Sequence, residues 1–177
     1  MIEALLRTLN GPGVNSETRL AAFLDWTGRH GSELSSKPDL FWSGFHQAWN
    51  ICDDTWCQRN NLLELARDFR QYLSDFDERP CDHLIEVEDR TFYAALPDRI
   101  TIYRGCHMDR TMGLAWTTEK ATALTFTKGH RGMVVPDPVL VSATVAKGAI
   151  LGAYQTRQEC EILVDPLTLK SLRVRFV

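Results

Sequence analysis

The sequence predicts an α+β protein with a helical first half and a second half built from short strands. Through the first 96 residues, apolar side chains recur at spacings of three and four, as on the buried face of a helix. After Pro97, β-branched and aromatic residues gather into short runs typical of strands. Charge changes as well, since Asp and Glu outnumber Lys and Arg 17 to 10 in residues 1–99 but are outnumbered 10 to 6 in residues 100–177. We therefore expect a helical N-terminal subdomain, 1–96, and a β-rich core, 97–177.

The composition limits the class of protein. A chain of 177 residues, 44% hydrophobic and 24% charged, is typical of a globular protein. Its first residues, MIEALLRTLNGPG, include no long apolar run, so neither a signal peptide nor a membrane span is expected. The five scattered cysteines indicate reduced thiols and a cytoplasmic location. Without clustered basic runs, we expect no nucleic-acid partner, while the positive second half suits a small anionic ligand.

Five helices are expected before Pro97. The second is capped by Asn15 or Ser16 and ends at Gly28 or Gly31, and the third begins at the Pro38 segment. The clearest periodicity is that of the fourth helix. The expected ranges are 2–9, 15–31, 38–49, 60–76 and 83–95.

Six strands and one helix are expected after Pro97. Because helices do not alternate with these strands, they favour a twisted antiparallel or mixed pair of sheets over a doubly wound sheet. The expected strands are 100–103, 114–117, 139–145, 149–151, 159–164 and 172–177, and the expected helix is 119–126.

Two carboxylates stand at the start of the fifth strand. Alternation over 159–164 predicts that Glu159 and Glu161 project from one face, after a polar turn at 152–158. The alternative is a solvated strand edge that happens to carry two acids.

Polar side chains also end the first two strands. Arg104, followed by Gly105, has a planar fork suited to phosphate oxygens, and its alternative is a surface pairing with a carboxylate. Thr118 is a candidate N-cap for the helix that follows, which leaves Thr117 facing the sheet.

Other chemistry has weaker support. Cys52, Cys57, Cys81 and His83 could be combined into a zinc site, but their spacing is poor and buried thiols are the preferred interpretation. No glycine-rich phosphate loop is present, and nothing in the sequence indicates a hydrolytic triad.

Tyr103-Arg104-Gly105, then Trp116-Thr117-Thr118, then Arg157 followed by Glu159-x-Glu161, occur in this order. The series resembles the mono-ADP-ribosyltransferase family of the Arg–Ser–Glu type, most closely its bacterial and phage members. The resemblance covers residues 96–166. It implies a split β-sandwich with NAD bound in a cleft as a substrate. We expect the helical half, which the resemblance does not cover, to pack on this core.

The resemblance also implies a role for each matching residue. Glu161 would be the catalytic acid that grips the nicotinamide ribose, Thr117 would orient it, and Glu159 would be the acceptor-side carboxylate of arginine-modifying members. Ala115 departs from the pattern, which usually has Ser there. This leaves the hydroxyl network one donor short unless Thr118 substitutes. The residues expected to bind NAD are Arg104, Gly105, Trp116, Thr118, Phe126 and Tyr154.

The expected activity is transfer of ADP-ribose from NAD to a protein, on an arginine side chain. Trp116 and Tyr154 offer flat surfaces for nicotinamide or acceptor, or else pack in the core. Arg157 contacts acceptor, phosphate or solvent. The partner would be a target protein, a host protein if the chain acts as an effector, a toxin or a phage product. The alternatives are hydrolysis of NAD and a non-catalytic binding module on the same fold.

Overall fold

The computed structural model describes residues 1–52, 56–129, 135–155 and 159–177. The chain divides into two compact units, Met1–Ile85 and Glu86–Val177. No helix in these ranges has the length and apolar character needed to cross a membrane.

The described residues of the first unit form helices, turns and connections without a strand, close to expectation. The first and third helices begin where they were expected, at Ile2 and at Pro38, whose fixed φ suits a first turn. The helices are α1 Ile2–Leu9, α2 Arg19–Ser35, α3 Pro38–Asn50 and α4 Arg59–Ser74, followed by a 3₁₀ turn at Pro80–His83.

The prediction that Gly28 or Gly31 ends the second helix is wrong. Helix α2 continues through both to Ser35. A glycine inside a helix costs about 1 kcal/mol relative to alanine, and burial of the apolar face outweighs that cost here. The buried side chains of α2 include Leu20, Phe23 and Leu34, which span its length.

An aromatic cluster forms the core of the helical unit. Phe41 stacks on Phe69 with ring centroids 3.9 Å apart, which joins α3 to α4. Phe23 of α2 meets Phe45 of α3 edge-on, with centroids 6.4 Å apart. The indole of Trp42 donates to the carbonyl of Phe69 at 3.4 Å, so this buried polar group is satisfied.

The second unit contains one helix before its sheet. The expected helix at 83–95 begins later, at Val87, and its first residues instead belong to the 3₁₀ turn. This helix lies on the sheet side of the division at Ile85. The elements are α5 Val87–Ala95, β1 Arg99–His107, β2 Ala115–Thr117, α6 Lys120–Thr127, β3 Pro138–Ala146, β4 Ile150–Tyr154, β5 Glu161–Val164 and β6 Lys170–Phe176.

The six strands of the described residues form one antiparallel sheet in the order β4-β5-β2-β1-β3-β6. Strands β1 and β3 pair over nine residues, whereas β1 and β2 meet at a single pair, Tyr103 and Thr117. Instead of the expected pair of sheets, the strands form one continuous sheet. Its two half-sheets, β4-β5-β2 and β1-β3-β6, are joined at that single pair.

Two glycines within the strands of this unit have close neighbours. A Cβ on Gly105 would lie 1.8 Å from the carbonyl oxygen of Ala123, so its absence lets α6 rest directly on β1. Gly152, expected in a turn, lies inside β4, and the ring of Tyr154 occupies the space of a Cβ there, which would be 2.6 Å from the tyrosine oxygen. Strand β4 continues through Gly152 to Tyr154, and residues 156–158 of the expected turn lie outside the described residues.

A fully buried histidine makes the helical unit sensitive to acid. His46 of α3 lies 2.8 Å through Nε2 from the carbonyl oxygen of Pro80, so Nε2 carries the proton and donates it. Burial lowers the pKa of His46 to about 4, opposed by the Pro80 hydrogen bond and reinforced by His83. Its imidazole is therefore neutral in the folded protein at neutral pH.

We expect the free energy of unfolding to fall as pH decreases from 6.5 to about 4, because in this range His46 binds a proton in the unfolded state but not in the folded state. The slope from this group is about 1.4 kcal/mol per pH unit within that window, and zero above it. Urea unfolding at pH 7 and at pH 4.5 measures the effect. In His46→Gln, which keeps a donor, the difference between the two pH values should shrink by about 2 kcal/mol, and an unchanged difference would contradict this assignment.

Candidate functional site

Three neighbouring strands bring together the residues that the sequence singled out. Strand β2 lies between β1 and β5, with Thr117 opposite Tyr103 on one side and opposite Glu161 on the other. Arg104 follows Tyr103 directly. Residues separated by 57 positions in the chain thus meet where the two halves of the sheet join.

The guanidinium of Arg104 is held by backbone carbonyls. Its Nε donates to the carbonyl of Arg110 at 3.1 Å, and its Nη1 donates to that of Ala115 at 2.6 Å. A Cβ on Gly113 would lie 2.4 Å from the guanidinium carbon, so this glycine leaves the space that the guanidinium fills. Arg104 therefore braces the connection between β1 and β2.

Glu161 acts electrostatically on Arg104. Burial lowers the pKa of the Arg104 guanidinium, while Cys106 and the Glu161 carboxylate act in the opposite direction. Glu161 is half-buried at the first position of β5. The two groups therefore lie near enough for their opposite charges to interact. Their proximity could not be inferred from their positions in the sequence.

Cys106 is a neighbour of Arg104 that the sequence analysis overlooked. Burial raises the pKa of its thiol, and the Arg104 guanidinium opposes that rise. Because Cys106 is two residues beyond Arg104 on the same strand, alternation places both side chains on one face of β1. That spacing of two residues along a strand is the sequence signal that could have identified Cys106 as a neighbour of Arg104.

Thr117 fixes the segment that leads into Glu161. Its hydroxyl donates to the carbonyl of Glu159 at 2.6 Å and accepts the N–H of Glu119 at 2.9 Å. The next residue, Thr118, donates its N–H to the carbonyl of Cys160 at 3.1 Å. Thr117 and Thr118 therefore hold the backbone just before Glu161. The expected N-cap role of Thr118 is wrong, since Glu119 precedes the first turn of α6.

The predicted strand face shared by Glu159 and Glu161 is not formed. Strand β5 begins at Glu161, and Cys160 before it has a φ of +46°, in the left-handed region. Period-two alternation applies only to extended backbone, so it does not reach Glu159. A left-handed residue other than glycine costs of order 1–3 kcal/mol and persists where its surroundings hold it, as the two threonine hydrogen bonds do here.

Comparison of the chain with protein-family models, with curated protein sequences and with solved structures found no significant match. The chemistry of the site is therefore judged on its own residues.

The expected aromatic surfaces lie inside the unit. Trp116 is 2% exposed and Tyr154 is 1% exposed, and the indole N–H of Trp116 donates to the carbonyl of Gly113 at 2.9 Å. These positions favour the core-packing alternative for both rings. Phe126 is half-buried on α6, and Gly105 provides the contact with that helix.

Asp89 anchors the other end of the connection between β4 and β5, and the sequence analysis gave it no role. This carboxylate on α5 is 1% exposed, and its Oδ1 accepts the N–H of Gln155 at 2.7 Å. The described ends of the connection are thus fixed by Asp89 on one side and by Thr117 and Thr118 on the other. A carboxylate four residues before the buried Tyr93, on the inner face of a helix, was the available signal.

Two predictions concern other parts of the chain. Cys52, Cys57, Cys81 and His83 were weighed as a zinc site. The described residues contain no group of three or more His, Cys, Asp or Glu placed to hold a metal ion. Arg157, expected near the site, lies outside the described residues.

Gly113→Ala should mimic the loss of Arg104. The new methyl group would displace the guanidinium from the carbonyls of Arg110 and Ala115, which we expect to lower the free energy of unfolding by roughly 1–3 kcal/mol. Gly148→Ala is the matched control, because a Cβ there would meet nothing within 4 Å. Urea unfolding of both variants, alone and combined with Arg104→Ala, measures the coupling. Equal effects of the two alanines would contradict this account.

Thr117→Val should release the segment before Glu161. Valine keeps the shape but removes the hydrogen bonds to Glu159 and Glu119, for an expected loss of roughly 1–3 kcal/mol. Hydrogen exchange of the Thr118 amide, which donates to Cys160, should accelerate. Thr117→Ser retains the hydroxyl and should preserve that protection. Unchanged exchange in the valine variant would show that the hydroxyl does not hold this segment.

Proposed function

We propose that the protein transfers ADP-ribose from NAD to an arginine side chain of a target protein. The observation that carries the proposal is that Arg104, Thr117 and Glu161 come together on three neighbouring strands at the join of the two half-sheets, where the Glu161 carboxylate favours the charged form of Arg104. These are the three residues that the resemblance assigns to the family's Arg, Ser/Thr and Glu positions.

Glu161 supplies the negative charge that the reaction needs. Breaking the bond between ribose C1′ and the nicotinamide nitrogen releases neutral nicotinamide and leaves positive charge on the ribose, as in glycoside hydrolysis. A carboxylate already fixed by the fold stabilises that charge without reorganising. The hydrogen bonds from Thr117 and Thr118 support this role, since they hold the backbone of residues 159 and 160 just before Glu161.

Arg104 is suited to the diphosphate. A guanidinium carries five N–H donors, of which the carbonyls of Arg110 and Ala115 take two. These two bonds hold the planar fork in place, so less freedom is lost when an anion binds. Ala115 stands where the family usually has Ser, but it holds Arg104 through its backbone carbonyl, and that hydrogen bond does not need a serine hydroxyl.

Glu159 is the candidate base for the acceptor. An arginine nitrogen must lose a proton as it bonds to C1′, and a nearby carboxylate can take it. The left-handed Cys160 removes the argument that Glu159 and Glu161 share a strand face. That observation favours hydrolysis of NAD as the second candidate function, with water replacing the arginine nitrogen.

Paired glutamine variants test both functions. With NAD labelled in its adenylate part and a cell lysate as acceptor, Glu161→Gln should reduce both nicotinamide release and protein labelling by ~10²-fold or more. Glu159→Gln should retain slow nicotinamide release but lose labelling, because water needs less activation than a guanidinium. Glu88→Gln, at an exposed acid of α5, is the matched control and should retain both activities.

The outcomes separate the candidates. Labelling retained in Glu161→Gln would overturn the proposal as a whole. Nicotinamide release without labelling in the unmodified protein would select hydrolysis. Equal loss of both activities in Glu159→Gln would remove the acceptor-side role and leave Glu159 as part of the NAD site.

A further inference from the structure

The outer edge of β6 is open in the structure. This strand is last in the sheet order, and all of its residues from Lys170 to Phe176 are exposed. Unpaired strand edges present backbone N–H and C=O groups to any chain that can align with them. The edge belongs to the half-sheet β1-β3-β6 and includes none of the residues placed in the candidate active site.

The pairing with β3 determines which backbone groups point outward. Val177 donates its N–H to the carbonyl of Pro138 at 3.2 Å, in the same register that pairs Arg175 with Leu140 and Val174 with Val141. In an antiparallel ladder, hydrogen-bonded and non-hydrogen-bonded pairs alternate. The N–H and C=O groups of Arg173 and Arg175 therefore point to β3, and those of Val174 and Phe176 point away from the sheet.

The two faces of β6 differ in chemistry. Arg173 lies opposite Ser142 and Lys170 opposite Thr144, so these cations share one face with strand hydroxyls. The segment 166–177 contains three Lys and Arg and no Asp or Glu. Within the described residues, Lys170, Arg173 and Arg175 form no ion pair.

A shallow cavity lies on this cationic face. Its volume is about 300 Å³, and its lining includes the hydroxyl residues Thr101, Ser142 and Thr144 together with Arg173. Hydroxyl donors beside a guanidinium are the groups that bind a carboxylate.

The opposite face of β6 is apolar. Val174 and Phe176 lie opposite Val141 and Val139, which are fully buried, yet they are themselves 38% and 73% exposed. Both therefore extend an apolar surface past the edge of the core. A partner strand would cover it while its own backbone satisfies the outward groups.

We propose that the outer edge of β6 binds an extended, acidic peptide segment of a partner protein as a seventh strand. Successive side chains of a strand point to opposite faces, so the segment alternates acidic residues, which face Arg173, Arg175 and Lys170, with apolar residues, which cover Val174 and Phe176. A second copy of this chain fits less well. Antiparallel pairing of two β6 strands would place their cations on one face of the combined sheet, where like charges repel.

The outward backbone groups distinguish this partner from other anions. A nucleic acid or an anionic membrane would satisfy the charges of Arg173 and Arg175, but neither offers amide groups at the spacing of a strand. Only a peptide can pair with the N–H and C=O groups of Val174 and Phe176.

The test uses a capped, fluorescent peptide of alternating Glu and Val, with fluorescence anisotropy as the readout on the full chain. A peptide of the same composition with all Glu before all Val, and one of alternating Lys and Val, are the controls. We expect the alternating acidic peptide to bind at least ~10-fold more tightly than either, because only it matches both faces. Its binding should be unchanged in Glu161→Gln, which makes this result independent of the proposed enzymatic activity.

Two variants separate backbone pairing from charge. Val174→Pro removes an outward N–H without removing a hydrogen bond to β3, and should weaken the peptide by ~10-fold or more. Arg173→Glu combined with Arg175→Glu should reverse the preference, so that the Lys–Val peptide binds more tightly than the Glu–Val peptide. Circular dichroism establishes that each variant is folded.

Amide exchange on the unmodified protein gives a readout that needs no variant. The N–H groups of Val174 and Phe176 should exchange quickly in the free protein and slow down when the acidic peptide is bound. Equal binding of the block peptide, or exchange unaffected by the peptide, would overturn the proposal and leave only charge attraction. Concentration-dependent dimerisation through this edge, or binding of RNA or anionic vesicles that slows the same amides equally, would overturn it in favour of those occupants.

Discussion

The single pair that joins the two half-sheets constrains everything around it. Strands β1 and β2 meet only at Tyr103 and Thr117, so the relative position of the halves depends on that contact and on the groups that brace it. Arg104 braces it on one side by binding the β1–β2 connection, and Thr117 braces it on the other through the carbonyl of Glu159. Arg104 and Thr117 are therefore both proposed functional groups and structural elements of the join.

This double use explains why stability and chemistry are difficult to separate at Arg104. Its bonds to two carbonyls close a turn, and the same bonds fix the direction of its remaining donors. Removing the side chain would disturb both at once. A change in NAD affinity after its substitution is therefore interpretable only beside a measurement of stability, and the Gly113 position offers a way to move the guanidinium without deleting it.

The sequence was informative where local rules determine the structure. Helical spacing located the four long helices of the first unit, and the runs of β-branched residues located all six strands, with end errors of a few residues. The prediction that α2 ends at Gly28 or Gly31 failed because burial of the helix's apolar face outweighs the low helix propensity of glycine. At the candidate site, residue types and spacing singled out Arg104, Thr117 and Glu161, and strand pairing brings these positions together. Their bonding partners are mostly backbone carbonyls, which no residue type reveals, and the left-handed turn at Cys160 has no sequence signal.

Three glycines of the described residues have opposite prospects for sequence change over evolution. At Gly105 any larger residue would collide with the backbone carbonyl of Ala123, which cannot rotate away as a side chain can. Substitution at this position therefore requires α6 to move away from β1. At Gly28 and Gly31 a Cβ would meet nothing within 4 Å, and alanine at each would favour the helix by about 1 kcal/mol. Helix α2 therefore holds an unused reserve of stability, from which the chain could tolerate a destabilising substitution elsewhere in the helical unit.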